Sequence, residues 1–398
     1  MEESAQGGAD SSWRCILSPL GALEDRLRGK NEILVGVDAR CLNTDHLRGM
    51  GKYVSECISH VDASQQLRWQ LFGDRPETAF HQPPGVSATI ELFDFKGYRF
   101  HTWEQMGLPM RCRRRHVDLL HCTATSLPFW QPVPTIVTIH DMLPWRSPLA
   151  GYEQWYRHRL LPGAYKRAAA IITISESSRR DILDAWPWLA EKLHVIPHGI
   201  SDIFLEADEF PRPDLATAMI GEARYLLYVG GAIERKRFGW ALKVFDSLGL
   251  EQLKLLVCGF SGQERQVAMA DLSPQFAGRV SFLPFVPEEE MPGLYQHAEL
   301  VLYPTLYEGF GFPALEAQAV GTPVLFSDLA SLSELKGPHA EILPVENLDA
   351  WIAACRKIVM RGRRSIGAST LETKWASQFS WAVSAQRHLD VYQAALER

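Results

Sequence analysis

Glu308-Gly309-Phe310-Gly311-Phe312-Pro313-Ala314-Leu315-Glu316 sets two carboxylates eight positions apart across a glycine loop. Gly309 and Gly311 admit backbone conformations and close approaches that a Cβ would block, and Pro313 has the fixed φ and missing N–H favoured at the first helical position. The spacing predicts a helix beginning near Phe312. Its unpaired N–H groups and positive dipole end then face the loop and suit phosphate oxygens, with Glu316 about one turn inside. Glu308 on the loop and Glu316 on the helix are placed to hold hydroxyls on either side of a bound diphosphate. That is the chemistry of a nucleotide-sugar site.

Two glutamates at this spacing, taken alone, more often mark a solvated helix face. The flanks decide otherwise. Ala298–Pro304 reads as a short buried strand ending just before the loop, and Gly321–Phe326 as the next strand. The carboxylates then lie at a strand's C-terminal end, where open α/β sheets bind ligands.

Three further constellations carry chemistry. After Gly36-Val37-Asp38-Ala39-Arg40 comes Arg48-Gly49-Met50-Gly51-Lys52-Tyr53, whose glycines can bring backbone N–H groups to a phosphate or sugar while Arg48 and Lys52 add positive charge. The same residues also suit an ordinary turn, and they lack the GxGxxG spacing of nicotinamide dinucleotide sites. The strand Tyr225–Val229 runs into Gly230-Gly231-Ala232-Ile233-Glu234-Arg235-Lys236-Arg237. A charge run is usually a solvated face, but this one falls at the mouth of the same sheet. Arg235 and Lys236 are therefore assigned to neutralising a diphosphate leaving group in place of a metal. Thr138-Ile139-His140-Asp141 closes an apolar strand, and His140 is read as a substrate contact, a structural histidine being the alternative. No metal-ligand spacing and no nucleophile elbow is present.

These motifs need two sheets to position them. A length of 398 residues and a hydrophobic content of 46% fit two domains of ordinary size. In the first half, strands are expected at Ile33–Val37, Trp69–Phe72, Thr89–Phe93, Asp118–His121, Thr135–His140 and Ala170–Ile174. Helices are expected at Gly51–Val61, Thr102–Arg115, Tyr152–Ala169 and Ser175–Asp184, the rhythm of a doubly wound parallel sheet. A second cycle follows with strands at Arg224–Val229, Leu253–Val257, Val280–Leu283, Leu300–Tyr303 and Val324–Phe326. The division expected is a loose leader over residues 1–30 with one short helix near Leu20–Arg28, a first domain over 31–205, a second over 206–374, and a closing helical segment over 375–398. Along that segment Phe379, Trp381, Ala382, Ala385, His388, Leu389, Val391 and Tyr392 make the apolar stripe.

No apolar run is long enough to span a membrane and the first ten residues lack a signal-peptide pattern, so the expected location is the cytoplasm. Seven cysteines without a CxxC pair point to reduced thiols rather than a disulfide frame or zinc site. The net charge of −6 argues against nucleic-acid binding, and the excess is uneven: residues 1–200 carry 23 basic against 22 acidic side chains, residues 201–398 carry 18 against 25. Trp145-Arg146, Tyr152, Trp155-Tyr156-Arg157-His158-Arg159 and the Arg111–Arg115 run read first as an ordinary amphipathic helix with half-buried aromatic residues. A basic aromatic surface for lipid head groups at the inner membrane face is the alternative.

With these residues in place, the chain resembles the retaining GT-B glycosyltransferases of glycosyltransferase family 4, from about Ile33 to the C-terminal helix. Glu308–Glu316 with Gly321-Thr322-Pro323-Val324 carries the resemblance most specifically. Val37–Arg40, Arg48–Tyr53, His140-Asp141, Ser175-Glu176-Ser177-Ser178, His198-Gly199-Ile200 and Arg235-Lys236 support it. The resemblance implies an α/β, GT-B architecture of two Rossmann-like domains facing a cleft, the first holding the acceptor, the second the donor, and the last helix packing back on the first. It implies that Glu316 binds the ribose hydroxyls, Glu308 the donor sugar, and Arg235 and Lys236 the diphosphate. Gly49, Met50 and Gly51 approach the donor phosphates, His140 sits beside the transferred sugar, and Gly231, Gly309, Phe310, Gly311 and Phe312 complete the donor site. No metal or cofactor is expected.

His198-Gly199 stands where the family often has Asn-Gly, and a single Gly259 where Gly-x-Gly is frequent. The expected reaction moves a hexose from a nucleoside diphosphate sugar to a glycan or lipid-linked hydroxyl with retained configuration. Resemblance to bacterial surface-polysaccharide mannosyltransferases makes GDP-mannose the first donor choice and a UDP-hexose the second. The alternatives are a sugar-nucleotide epimerase of the same fold and a non-catalytic nucleotide-binding partner.

Overall fold

The computed structural model describes residues 32–45, 47, 49–61, 67–94, 99–146, 151–206, 209–338, 340–362 and 374–397. The leader with its expected short helix, and Arg48, lie outside the described residues. Two all-parallel sheets form. The first has seven strands: β1 (Ile33–Asp38), β2 (Leu67–Gly73), β3 (Ala88–Leu92), β4 (Leu119–Cys122), β5 (Thr135–Ile139), β6 (Ala170–Thr173) and β7 (Leu193–Val195), in the order β3-β2-β1-β4-β5-β6-β7. The second has six: β8 (Tyr225–Val229), β9 (Lys254–Cys258), β10 (Val280–Phe282), β11 (Leu300–Tyr303), β12 (Val324–Ser327) and β13 (Ala340–Leu343), in the order β10-β9-β8-β11-β12-β13.

Each sheet thus reverses its winding between its own first and fourth strands. This is the two-domain GT-B architecture. β4, β5, β6, β11 and β12 are buried at every residue, as parallel strands covered on both faces must be. Apolar runs of this kind are what made them legible. β7 and β13 are the additions to the expected set: one is three residues long, the other half-exposed along most of its length, so neither carries the buried-strand pattern.

Helices cover both sheets: α1 (Gly49–Ser59), α2 (Leu108–Arg114), α3 (Leu161–Arg167), α4 (Glu176–Ala185), α5 (Phe238–Asp246), α6 (Phe312–Ala319), α7 (Leu348–Arg361) and α8 (Trp381–Leu396). The two long helices expected over 102–115 and 152–169 each open into a π-helical turn, Trp103–Gly107 and Tyr156–Leu160, immediately before Leu108-Pro109 and Leu161-Pro162. A proline inside a helix clashes with the carbonyl four residues back, and a widened turn relieves that clash without ending the helix.

The closing segment is not one helix from Trp375. Ser380 is extended and bridges Ile200 before α8 begins. Trp381, Ala385, Leu389, Val391 and Tyr392 then pack with Val35, Val37 and Tyr53 of the first sheet and α1, whereas Ala382 faces solvent. Gly199 permits this return. A Cβ there would stand 2.3 Å from Trp381 N and 2.5 Å from Trp381 Cγ. Gly199→Ala is therefore expected to cost about 1–3 kcal/mol by overpacking against backbone, read as a lowered melting midpoint; an unchanged midpoint would contradict the packing.

The two sheets are also tied by charge. Glu334 of the second receives the Glu176 and Ser177 N–H groups at the start of α4, at 2.9 and 2.7 Å, which gives the Ser175–Ser178 segment its structural role. Ser175 caps the same helix through Ser178 N.

Candidate functional site: the cleft between the sheets

In doubly wound sheets ligands bind beyond the strand ends at the point where winding reverses. For the second sheet that point lies between the loops following β8 and β11, and the two loops carry Arg235-Lys236 and Glu308. Glu308 Oε1 accepts from Arg235 Nη1 at 3.0 Å and Thr305 Oγ1 at 2.8 Å, and Lys236 Nζ stands 2.6 Å from it. Arg235 is further anchored on the Tyr307 carbonyl and Lys236 on the Tyr303 hydroxyl. Burial pushes the Lys236 ammonium below its ordinary range, and the Glu308 carboxylate pulls it back up. Two cations and one carboxylate leave this cluster with a net positive charge, suited to an anionic ligand.

The helix expected near Phe312 begins there. Gly311, at φ +116°, is its N-cap, a conformation that L side chains rarely adopt, and a Cβ would also strike Leu332 Cδ2 at 2.6 Å. Phe310 is buried, and Gly231, in the loop after β8, faces the Gly259 carbonyl at the end of β9. Across the cleft, α1 opens at Gly49, whose nearest neighbour is the Phe312 ring, 3.8 Å from where a Cβ would lie. Two helix N-termini, one from each sheet, therefore converge. Gly51 packs on the Cys41 carbonyl, and Met50 between them is 47% exposed and open to a ligand.

Glu316 lies inside the first turns of α6, 8% exposed. Its Oε2 accepts from the Tyr295 hydroxyl at 2.9 Å, and its Oε1 from Lys52 Nζ at 3.0 Å. Lys52 belongs to α1 of the other sheet and also meets Glu288 at 2.8 Å. Burial works against its charge, but Glu316 and Glu288 hold its ammonium above the ordinary range. The Lys52–Glu316 pairing was not among the sequence expectations. Lys52 was visible as a cation in a glycine loop, but its partner is 264 residues away.

His140 is 8% exposed at the end of β5 and donates from Nε2 to the Thr123 carbonyl at 2.8 Å. Burial drives it down to about 4, so it is neutral at physiological pH. Its carbonyl oxygen would lie 2.7 Å from a Cβ on Gly309, so a glycine is what lets the second sheet's loop close on β5. His198 stacks on Phe312 with ring centroids 5.1 Å apart and fills the space between the sheets as an aromatic plug.

Behind His140 lies a buried polar chain that the sequence did not signal. His388 Nδ1 must donate to the Ser384 carbonyl, so its Nε2 accepts from Tyr53. Tyr53 then accepts from Thr138, Thr138 accepts from His121 Nε2, and His121 Nδ1 accepts from Tyr392. Every proton in this chain has one place, and α8 is bonded through it to α1, β4 and β5.

The candidate basic aromatic surface is only partly exposed. Tyr156, the first residue of its π-helical turn, is buried with its hydroxyl on Glu104, and Trp145 Nε1 donates to the Arg157 carbonyl of that turn. Tyr152 and Trp155 remain half-exposed, as do Met106 and Met110. Arg111 and Arg115 both pair with Glu91, while Arg113, Arg114 and Arg159 face solvent. No helix among the described residues is long and apolar enough to cross a membrane. The six described cysteines are free.

Residues 48–202 match the model of Glycosyltransferase Family 4, and residues 223–361 that of Glycosyl transferases group 1. O-antigen chain mannosyltransferase B of Escherichia coli is 27% identical over 60% of this chain and 64% of its own length. For O-antigen chain mannosyltransferase RfbU of Salmonella typhimurium the figures are 25%, 56% and 60%. The chain thus spans less than two thirds of the length of either. MMP alpha-(1->4)-mannosyltransferase of Mycolicibacterium hassiacum is 25% identical over 72% of both chains. Among solved structures, sucrose-phosphate synthase from Thermosynechococcus elongatus superposes with a TM-score of 0.70 at 18% identity, covering 91% of this chain and 98% of that one. Anabaena HepE in complex with UDP and glucose gives 0.69 at 17%, over 91% and 99%.

Proposed function

We propose that this chain, which belongs to glycosyltransferase family 4, transfers a hexose from a nucleoside diphosphate sugar to a hydroxyl of a glycan or glycolipid with retention of configuration. One observation carries the reading: Arg235 and Lys236 converge on Glu308 at the reversal point of the second sheet, in the loop that leads to Phe312, where α6 meets the start of α1. Glu316 would hold the ribose and Glu308 the sugar, while the diphosphate lies between α6 and α1. The C1–oxygen bond to phosphate breaks as the acceptor oxygen bonds C1 on the same face, and the acceptor's proton passes to the departing phosphate. Arg235, Lys236 and the helix amides stabilise that departing charge more as it grows, which is what accelerates the step.

Those groups take the part a metal ion could play, so chelation should leave turnover unchanged. Mannose from GDP-mannose is the first donor choice, supported by the names of three relatives; a UDP-hexose is the second. Purified protein given GDP-mannose or UDP-glucose should release nucleotide only when an acceptor is supplied. Donor consumed alone with an altered sugar would indicate an epimerase. Nucleotide binding with no turnover in any mixture would indicate a non-catalytic partner.

The acceptor's lipid would bring the chain to a membrane surface. Met106, Met110, Tyr152 and Trp155 beside Arg113, Arg114 and Arg159 suit anionic head groups. Sedimentation with phosphatidylglycerol vesicles at low salt should carry the protein down, and failure to do so removes this part of the proposal.

A further inference from the structure

Asp141 directly follows His140 and has no role in the reading above. Its Oδ1 accepts from the Leu143 N–H at 2.9 Å, closing a local turn. Among the described residues its Oδ2 has no hydrogen-bond partner, whereas the Glu308 carboxylate is held by Arg235, Thr305, Lys236 and the Tyr303 hydroxyl. Asp141 presses on the second sheet's loop: a Cβ on Gly309 would lie 3.2 Å from its Cβ and 3.4 Å from its Oδ2. Arg235 and Glu308 are among the charges it feels, so it stands beside the cluster rather than behind it.

A carboxylate oxygen without a partner therefore borders, from the first sheet, the place where the donor sugar is put against Glu308. We infer that Asp141 is a second sugar-reading carboxylate, whose Oδ2 accepts a hydrogen bond from a hydroxyl of the transferred hexose opposite Glu308. A half-buried acceptor with no protein donor gains a bond when a correctly placed hydroxyl arrives and loses its water without replacement when the hydroxyl is absent. Asp141 thereby selects among donor sugars and ignores the nucleotide. Burial also pushes its carboxyl up, the cost that a sugar hydroxyl bond would offset.

The inference rests on the donor reading, and calorimetry separates the two. GDP, GDP-mannose, UDP and UDP-glucose are titrated into the wild type, Asp141→Asn and Asp141→Ser. Asparagine keeps the oxygen that caps Leu143, so the turn survives while the charge is lost, and serine provides a smaller cap should asparagine fold poorly. The expected result is about 10- to 100-fold weaker binding of the sugar nucleotide the wild type prefers, with the matching nucleoside diphosphate bound within about twofold of wild type. Equal losses for sugar nucleotide and nucleotide, or no loss for either, would overturn the assignment while leaving the donor reading standing. Wild type that binds none of the four would overturn both.

Discussion

Glu308→Gln is expected to lower turnover of the preferred sugar nucleotide by about 100- to 1,000-fold while the melting midpoint moves little. The amide keeps the size of the side chain and one oxygen that can still accept from Thr305 Oγ1 and Arg235 Nη1. What it removes is the negative charge that holds Lys236 Nζ at 2.6 Å and keeps both cations aimed at the β8 and β11 loop mouths. The cations would then swing or bind a stray anion, and the departing diphosphate would meet them misplaced, a loss felt in the transition state more than in donor binding. A kcat within about threefold of wild type would show that Glu308 merely balances buried charge.

The second large effect is on stability, and it has a sign set by the histidines. His121, His140, His198 and His388 are all held below their ordinary range by burial, His140 and His388 to about 4. Above about pH 6.5 these rings are neutral in both folded and unfolded chains and their titration is silent. As pH falls below that value the unfolded chain takes up protons first, so stability declines until the folded rings also protonate near 4. A shift from 6.5 to about 4 corresponds to roughly 3 kcal/mol for each ring, and two such rings rival the whole stability of many proteins.

The hydrogen-bond chain explains why the fold does not adapt. A proton added at His388 Nε2 faces the hydroxyl that Tyr53 already donates, and reversing Tyr53 would take away the acceptor of the Thr138 hydroxyl proton. α8 should come off the first sheet first. Melting followed by tryptophan fluorescence, with Trp381 as the local reporter, should fall steeply between pH 6.5 and 5, above the range where most carboxylates titrate. A flat midpoint across that interval would contradict the assignment.

Much of the donor side was legible because its residues are close in sequence or sit at strand ends. Glu308–Glu316 spells a loop and a helix start within nine positions, and Arg235-Lys236 follows an apolar strand directly, so periodicity and proline chemistry located both. Whatever depends on two distant segments meeting was not legible. Lys52 reaches Glu316 only because α1 and α6 face each other, and the chain from Tyr392 to Ser384 draws its donors from α8, β4, β5 and α1. The partner of Tyr156 was not legible for a local reason: the π-helical turn before Leu161-Pro162 carries its hydroxyl onto Glu104, and no hydrophobic period records such a turn. The edge strand β13 escaped because Glu341 and half-exposed neighbours blur a buried-strand pattern.

A crystal structure of the protein soaked with GDP tests the central claim most directly. The account predicts the diphosphate between the Phe312 end of α6 and the Gly49–Gly51 end of α1, within hydrogen-bond reach of Arg235 or Lys236, with the ribose on Glu316 and Lys52 displaced from it. Nucleotide bound anywhere else, with the Lys52–Glu316 pair intact and the Arg235, Lys236 and Glu308 cluster untouched, would contradict it.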